Sequence, residues 1–432
     1  MTQPILSPRL MDVSRTLTRT DADDLPLALS EAGARSWGEF AIAVNNWRTA
    51  FVRAGVSSAA LYLEDLFDFS SALFGAWCAG VRAILPADAT RATCARLAGL
   101  AQALAGEFDA RLAAADAPDL PLITPADTGM PFRGEIDPEA RLVSLFTSGS
   151  TGEPALITKR LSQLFCEVAA IETRRPDASE RNLAQDAVIF STVPAQHIYG
   201  LLFTVLWPAA AVRPFWHRRI LYPEELLSRT RRAAAGGAAL WVTSPAQLKR
   251  LPRDLDWRSI RDILRVVYSS GGPLPPEGLQ RCLDCTGISP VEILGSSESG
   301  GIAWRSRGIA PDGRITGEAF RALPGMQVKS ENGLLALKGA QLSSPGWECT
   351  ADRVRLLSDG SFMLLGRADR IVKIEEKRVS LAAVEKALTA TRLVTEARAF
   401  VAPCTGKLAV AAIPAPQAVA LIRREGKRAL VS

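Results

Sequence analysis

Histidine is scarce in this chain: His197 and His217 are the only two among 432 residues. Nothing in their spacing supports a metal centre or a Ser-His-Asp triad. Cysteine is scattered rather than paired. The seven cysteines (Cys78, Cys94, Cys166, Cys282, Cys285, Cys349, Cys404) are an odd number spread through a long sequence, which argues against a disulfide framework. Cys282 and Cys285 form a lone Cys-x-x-Cys, read as two reduced cysteines one helical turn apart in preference to a zinc or redox site. No Gly-Lys-Ser/Thr closes a glycine-rich loop, so the Walker pattern of ordinary P-loop kinases and ATPases is missing. The N-terminus lacks a basic-then-apolar signal pattern and carries Arg9, Asp12 and Arg15 early, which predicts a cytoplasmic protein. The longest uncharged stretch, 187–212, holds Pro194, Gln196, His197 and Pro208; it reads as a buried core segment and not as a membrane span.

Lys+Arg 51 against Asp+Glu 45 leaves a formal charge of only +6, no basis for nucleic-acid binding. Positive charge does cluster at Arg213, His217, Arg218, Arg219, Arg229, Arg231 and Arg232, mixed with Trp207, Phe215 and Trp216. A solvated face is the first expectation, and a docking surface for an acidic carrier protein or for coenzyme A phosphates is the functional one. With 48% hydrophobic and 22% charged residues, the composition fits a globular enzyme of more than one structural unit and excludes a disordered or fibrous chain.

Short apolar runs at 59–63, 187–190, 239–242, 266–268 and 291–294 alternate with stretches of helical spacing such as 221–235 and 274–285. That alternation predicts an α/β fold with a mostly parallel sheet and ligand loops at the strand carboxyl ends. After about residue 310 the pattern turns to short, Gly-punctuated alternating segments, such as 333–337 and 360–366, which suggest hairpins in a small sheet or distorted barrel. A charged segment, 366–370, then gives way to a strand and a helix over 381–390.

The most informative segment is Thr147-Ser148-Gly149-Ser150-Thr151-Gly152-Glu153-Pro154, which follows the apolar run 142–146. A strand feeding a loop of hydroxyls and glycines offers backbone N–H groups and Ser/Thr oxygens to phosphates, and glycine lets the backbone approach closely. Downstream, Ser269-Ser270-Gly271-Gly272-Pro273 ends a second strand, and Gly295-Ser296-Ser297-Glu298-Ser299-Gly300 ends a third. These segments, in this order, resemble the motifs of the adenylate-forming superfamily: acyl- and aryl-CoA synthetases, peptide-synthetase adenylation domains and luciferases.

The resemblance covers about residues 30–400 and implies a large N-terminal adenylation domain, 1–367, of parallel-rich sheets flanked by helices. Within it a β-barrel-like unit occupies about 310–367, and a short α+β C-terminal domain, 368–432, follows a hinge at Asp369. It implies ATP and Mg²⁺ as cofactors. Thr147, Ser148, Gly149, Ser150, Thr151 and Gly152 would surround the phosphates, and Ser270, Gly271, Gly272 and Pro273 the adenine side. Gly295, Ser296 and Ser297 would adjoin the α-phosphate, with Glu298 as the metal ligand. Asp352 would accept hydrogen bonds from the ribose hydroxyls with Arg367 assisting. His197, in Pro194-Ala195-Gln196-His197-Ile198-Tyr199-Gly200, matches a position beside the acyl carboxylate, so the acyl pocket is expected to include His197, Tyr199, Gly200, Gly295 and Gly300. Thr147, His197 and Glu298 are the catalytic candidates.

Several positions depart from the family pattern. Leu294 stands where many members have an aromatic residue, Ala155 replaces the Lys after the loop proline, and Glu376 replaces a glycine after the hinge. The adenylating Lys is not placed, since neither Gly406-Lys407 nor Gly426-Lys427 has the expected surroundings, and the C-terminal domain reads as shortened. The Glu-Pro loop ending and the hinge segment look like the aryl- and acyl-AMP ligases of bacterial aryl-polyene and xanthomonadin-type pigment pathways. The expected activity is ATP-dependent activation of a carboxylic acid, an aromatic one such as 4-hydroxybenzoate, and transfer to an acyl carrier protein or coenzyme A. Medium-chain fatty acids are the alternative substrates, and a non-catalytic nucleotide- or acyl-adenylate-binding protein is the alternative class.

Overall fold

Apolar runs bounded by turns become strands buried on both faces where helices cover both sides of a sheet, and the first such pair here is Ser58–Tyr62 beside Arg82–Leu85. The structure, a computed structural model, describes residues 10–108, 120–147, 155–174, 186–233, 237–374, 377–402 and 405–425. Parallel pairing extends the first two strands to Leu104–Gly106, Leu122–Ile123 and Val143–Thr147. Ala155–Lys159 closes this six-stranded sheet antiparallel to Val143–Thr147.

A nine-stranded sheet runs in the order Arg321–Ala322, Gly300–Ser306, Val291–Ser296, Leu264–Ser269, Ala239–Thr243, Val188–Ser191, Phe215–Trp216, Pro26–Ser30, Gly33–Ser36. Its centre is parallel from Val291–Ser296 to Pro26–Ser30, and its two margins are antiparallel. Helix Trp37–Ala54 starts at a capping box, with the Glu39 amide donating to Ser36 and the Ser36 amide to Glu39. It stops at Gly55, whose φ of 65° is a left-handed C-terminal conformation that glycine adopts without penalty. The 187–212 stretch is core as expected: Leu201–Leu206 forms a π-helical turn running into Trp207–Ala211, all buried. Among the described residues no helix is long and apolar enough to cross a membrane.

Beyond residue 326 four strands, Gln327–Glu331, Leu334–Lys338, Glu348–Leu356 and Phe362–Arg367, pair antiparallel in chain order. Of the two arrangements expected, a small sheet or a distorted barrel, the small sheet is the one formed, and among the described residues it does not close. One buried face suffices: Leu335, Leu337, Val354 and Phe362 pack on Ile302, Phe320 and Met326, so no first-to-last strand pairing is needed to cover apolar surface. After Asp369 come the hairpin Ile371–Ile374/Lys377–Ser380, the helix Leu381–Ala390 capped by Ser380, the hairpin Val394–Val401/Leu408–Pro414 and the helix Pro416–Glu425.

Candidate active site

Two adjacent parallel strands of the large sheet, Leu264–Ser269 and Val291–Ser296, deliver their following loops to one place, with Ser269 opposite Glu292. Ser270 Oγ donates to the Ile293 carbonyl at 2.9 Å and ties the two strand ends together. Gly271 takes a φ of 95°, a backbone conformation that side chains disfavour. The second strand turns back through residues 297–299 into Gly300–Ser306. A Cβ on Gly295 would lie 2.4 Å from the Gly300 carbonyl oxygen, so the hairpin closes only because that position is bare.

A cavity of about 550 Å³ opens at these loops. Ser270, Gly271, Gly272, Pro273, Gly295, Ser296 and Glu298 line it, and so do Asp352 and Arg367 from the small antiparallel sheet. Nine residues singled out in the sequence, from three separate segments, therefore face one volume. Asp352 and Arg367 are direct cross-strand partners, and Arg367 Nη1 donates to Asp352 Oδ1 at 3.4 Å. Arg367 Nε also donates to Asp369 Oδ1 at 2.9 Å. Burial raises the Asp352 carboxyl above its ordinary value, with Arg367 pulling it down and Asp369 adding to the rise. Glu298 behaves oppositely. Burial acts to raise it, but the Arg378 guanidinium, its own backbone amide and the Ser296 hydroxyl hold it below the usual value.

Other expected site residues lie elsewhere. Thr147 ends its strand opposite Ala155, while its side chain and the loop positions Ser148, Gly149, Ser150, Thr151 and Gly152 lie outside the described residues. Ser297 and Gly300 are not part of the cavity wall. A Cβ at Gly300, φ 69°, would lie 2.3 Å from the Glu167 carboxylate. His197 is exposed and begins the helical run Ile198–Gly200, so it is not a core histidine. Gly200 packs where a Cβ would stand 2.0 Å from the Pro194 carbonyl oxygen. The Tyr199 hydroxyl is buried, and among the described residues no group meets it in full hydrogen-bond geometry, the Thr243 amide being nearby. Burial and the neighbouring Tyr268 push its phenol well up, against the Thr243 amide. His197, Tyr199 and Gly200 do not line the 550 Å³ cavity.

Five charged residues of the wall went unmarked in the sequence: Glu292, Arg305, Glu348, Lys373 and Arg378. Lys373 and Arg378 are direct partners across the hairpin after Asp369, a relationship visible only once the turn between them is fixed. Burial and the nearby Arg378 lower the Lys373 ammonium. Arg378 reaches Glu298 itself, Nη1 to Oε1 at 3.2 Å and Nη2 to Oε2 at 3.3 Å.

The arginine cluster divides. Arg213 is only 4% exposed and bonds to Glu172 at 3.1 Å. His217 lies between Asp65 at 2.6 Å and Glu31 at 3.3 Å, and Arg229 pairs with Glu31. The cluster is therefore not one continuous solvated or docking face, because carboxylates from distant segments draw part of it inward; Arg218, Arg219, Arg231 and Arg232 stay exposed. Cys282 and Cys285 are both free and buried, as two reduced cysteines should be.

Among the described residues no group of three or more His, Cys, Asp and Glu could hold a metal ion. Glu298, one of four carboxylates at the cavity wall, fits a magnesium ion that takes its remaining oxygens from a nucleotide and water, since that ion seldom sits in an all-protein cage.

Residues 24–333 match the family model described as AMP-binding enzyme. The chain is similar to a 4-coumarate–CoA ligase of Cereibacter sphaeroides, 33% identical over 260 residues that cover 58% of this chain and 54% of that protein. It is similar also to an L-proline–[L-prolyl-carrier protein] ligase of Pseudomonas fluorescens, 27% identical over 308 residues, with 62% and 56% covered. The match thus spans about half the length of these curated relatives. In fold it is similar to the amide bond synthetase McbA of Marinactinospora thermotolerans, with a TM-score of 0.71, 20% identity and 96% and 93% of the two chains covered.

Proposed function

The chain belongs to the AMP-binding enzyme family, and from that premise we propose that it activates a carboxylic acid with ATP. The products of the first step are an acyl-adenylate and pyrophosphate, and the acyl group then passes to a thiol of a carrier protein or coenzyme A. One observation carries this reading: the base-side loop, the carboxylate loop and the Asp352–Arg367 pair line a single cavity of about 550 Å³.

Each wall residue has a task there. The backbone at Gly271 and Gly272 leaves room for a flat base. Asp352, an acceptor held by Arg367, takes hydrogen bonds from the ribose hydroxyls. Glu298 is the residue to hold Mg²⁺, which when bound neutralises charge on the phosphate oxygens. In-line displacement at phosphorus needs positioning and charge neutralisation more than acid–base chemistry, which suits a wall of glycines, hydroxyls and a few charges. Asp369 is proposed as the pivot of the C-terminal domain, and the left-handed φ of 57° at Arg370 supports it, since such strain collects at switch regions.

An aromatic acid such as 4-hydroxybenzoate is the proposed substrate. The buried Tyr199 hydroxyl, which has the Thr243 amide beside it and sits on a ring 4.9 Å from that of Phe203, supports an aryl acid with a polar ring substituent. The name of the 4-coumarate–CoA ligase relative points the same way. Free cysteines among the described residues suit a cytoplasmic enzyme. The test is carboxylate-dependent ATP–pyrophosphate exchange over a panel of aryl and alkyl acids. Exchange with hydroxylated benzoates is expected. Exchange only with medium-chain fatty acids would replace the substrate, and ATP binding with no exchange at all would leave a nucleotide-binding protein.

A further inference from the structure

Lys159 is the last residue of the strand Ala155–Lys159, which leaves the phosphate loop, and its side chain is only 3% exposed. It turns inward to Glu167 of the helix Leu161–Thr173, Nζ to Oε1 at 3.7 Å, where the carboxylate is 2% exposed. Both ends of this buried pair then reach one loop. Lys159 Nζ donates to the backbone carbonyl of Glu298 at 3.2 Å, and Glu167 Oε2 accepts from the Gly301 amide at 2.8 Å. The carboxylate fits against the loop because Gly300 has no Cβ.

We propose that the Lys159–Glu167 pair is a positioning device, which grips the loop on both sides of Ser299-Gly300 and so fixes the Glu298 carboxylate relative to the strand Ala155–Lys159 and the helix Leu161–Thr173. This deepens the proposed adenylation and rests on it. The physical ground is that burying two charges is costly, and apolar residues of similar size generally serve stability as well or better. What an apolar pair lacks is direction. An ammonium with three donors and a carboxylate with two oxygens hold a carbonyl and an amide of one loop at set distances. Gln163, one turn earlier on the same helix, donates to the Leu342 carbonyl at 2.9 Å. The helix thereby ties down the small antiparallel sheet as well as the Glu298 loop.

The test is the double variant Lys159→Met/Glu167→Met, which leaves neither charge unpaired, with Glu167→Gln beside it. Folding is followed by thermal melting, ATP binding by calorimetry with and without Mg²⁺, and turnover by acid-dependent exchange. The expected result is a folded protein that binds metal-free ATP as before. Its half-saturating Mg²⁺ concentration rises and its exchange rate falls, each roughly tenfold or more, the usual effect of losing a residue that orients a metal ligand. A folded double variant with unchanged Mg²⁺ dependence overturns the proposal. If the double variant does not fold, an unchanged Mg²⁺ dependence in folded Glu167→Gln does the same. Absence of exchange in the parent protein refutes the adenylation reading instead, while the Mg²⁺ dependence of ATP binding still reports on the pair.

Discussion

The Arg378 guanidinium lies across both oxygens of the Glu298 carboxylate, 3.2 and 3.3 Å away, although the two residues are 80 positions apart. The hairpin after Asp369 is thus fastened to the residue proposed to hold the metal, and a divalent cation has to compete with an internal one. Arg378→Gln is therefore expected to lower the Mg²⁺ concentration that half-saturates ATP binding by a few-fold. The pair is 20% and 50% exposed, where such bridges contribute about 0–1 kcal/mol, so melting should hardly move. Glu298→Gln should act in the opposite sense and reduce acid-dependent exchange roughly 100-fold, as loss of a preorganised electrostatic group does. Equal Mg²⁺ dependence in Arg378→Gln and the parent would show that the guanidinium does not compete.

Asp352 is expected to affect nucleotide affinity without affecting the fold. Asparagine keeps its shape and loses the charge that accepts the ribose hydroxyls. Hydrogen bonds to a charged group are worth about 1.5–3 kcal/mol, so the KM for ATP should rise roughly 10- to 150-fold in Asp352→Asn. The decisive comparison uses ATP and its 2′-deoxy analogue. The parent should prefer ATP, and the variant should discriminate far less between them.

Some of this site is legible in sequence because its determinants are local. The Asp352–Arg367 pairing follows from two alternating strands around the turn 358–361, and the cross-strand register bears it out. The helix Leu381–Ala390 was readable to its ends, since Ser380 caps it. What escaped depends on partners far along the chain. Arg213 reads as a surface charge until Glu172 of another helix is brought beneath it. Arg378 and Lys373 read as hinge charges until the hairpin folds over the cavity. The choice between a small sheet and a distorted barrel stayed open for a related reason: alternation shows that one face of each strand is buried, and it carries no information on whether first and last strands meet.

Thiol chemistry should separate the cysteines sharply. Burial pushes the Cys282 and Cys78 thiols up to about 12, so neither offers thiolate at neutral pH. Cys349 is exposed and lines the cavity, with its thiol raised by local desolvation and by Glu331. Among the described cysteines it should alkylate first, faster as pH rises, and ATP with Mg²⁺ should protect it. Modification of Cys282 ahead of Cys349, read by peptide mapping, would contradict the burial assigned to the Cys-x-x-Cys helix.

Tyr199 should set preference among acids more than overall rate. If its buried hydroxyl serves a polar ring substituent, Tyr199→Phe should cost about 0.5–1.5 kcal/mol with a hydroxylated benzoate, roughly a 2- to 10-fold loss in kcat/KM. Unsubstituted benzoate should be handled as well as before. A uniform loss over both acids would mark Tyr199 as a packing residue.

The C-terminal unit should loosen in acid ahead of the rest, through one carboxylate. Arg370 forks Glu385 with two hydrogen bonds of 2.8 Å, and the Ala399 amide donates to the same group at 2.8 Å. These contacts, the Arg370 hydrogen bonds first, hold the Glu385 carboxyl down from the usual 4.5 to about 2. A carboxyl whose value is depressed on folding binds protons more weakly in the folded state, so its contribution is complete above about pH 4.5 and fades as pH falls toward about 2. Because Glu385 joins the residue after Asp369 to the helix and to the hairpin behind it, its protonation frees all three together. Protection of the amides in the described parts of 371–425, measured with the intrinsic pH dependence of exchange divided out, should therefore fall on acidification through that window in the parent protein. In Glu385→Gln protection should already be low at neutral pH and change little on acidification, and parallel protection profiles in the two proteins would show that another group governs the acid response.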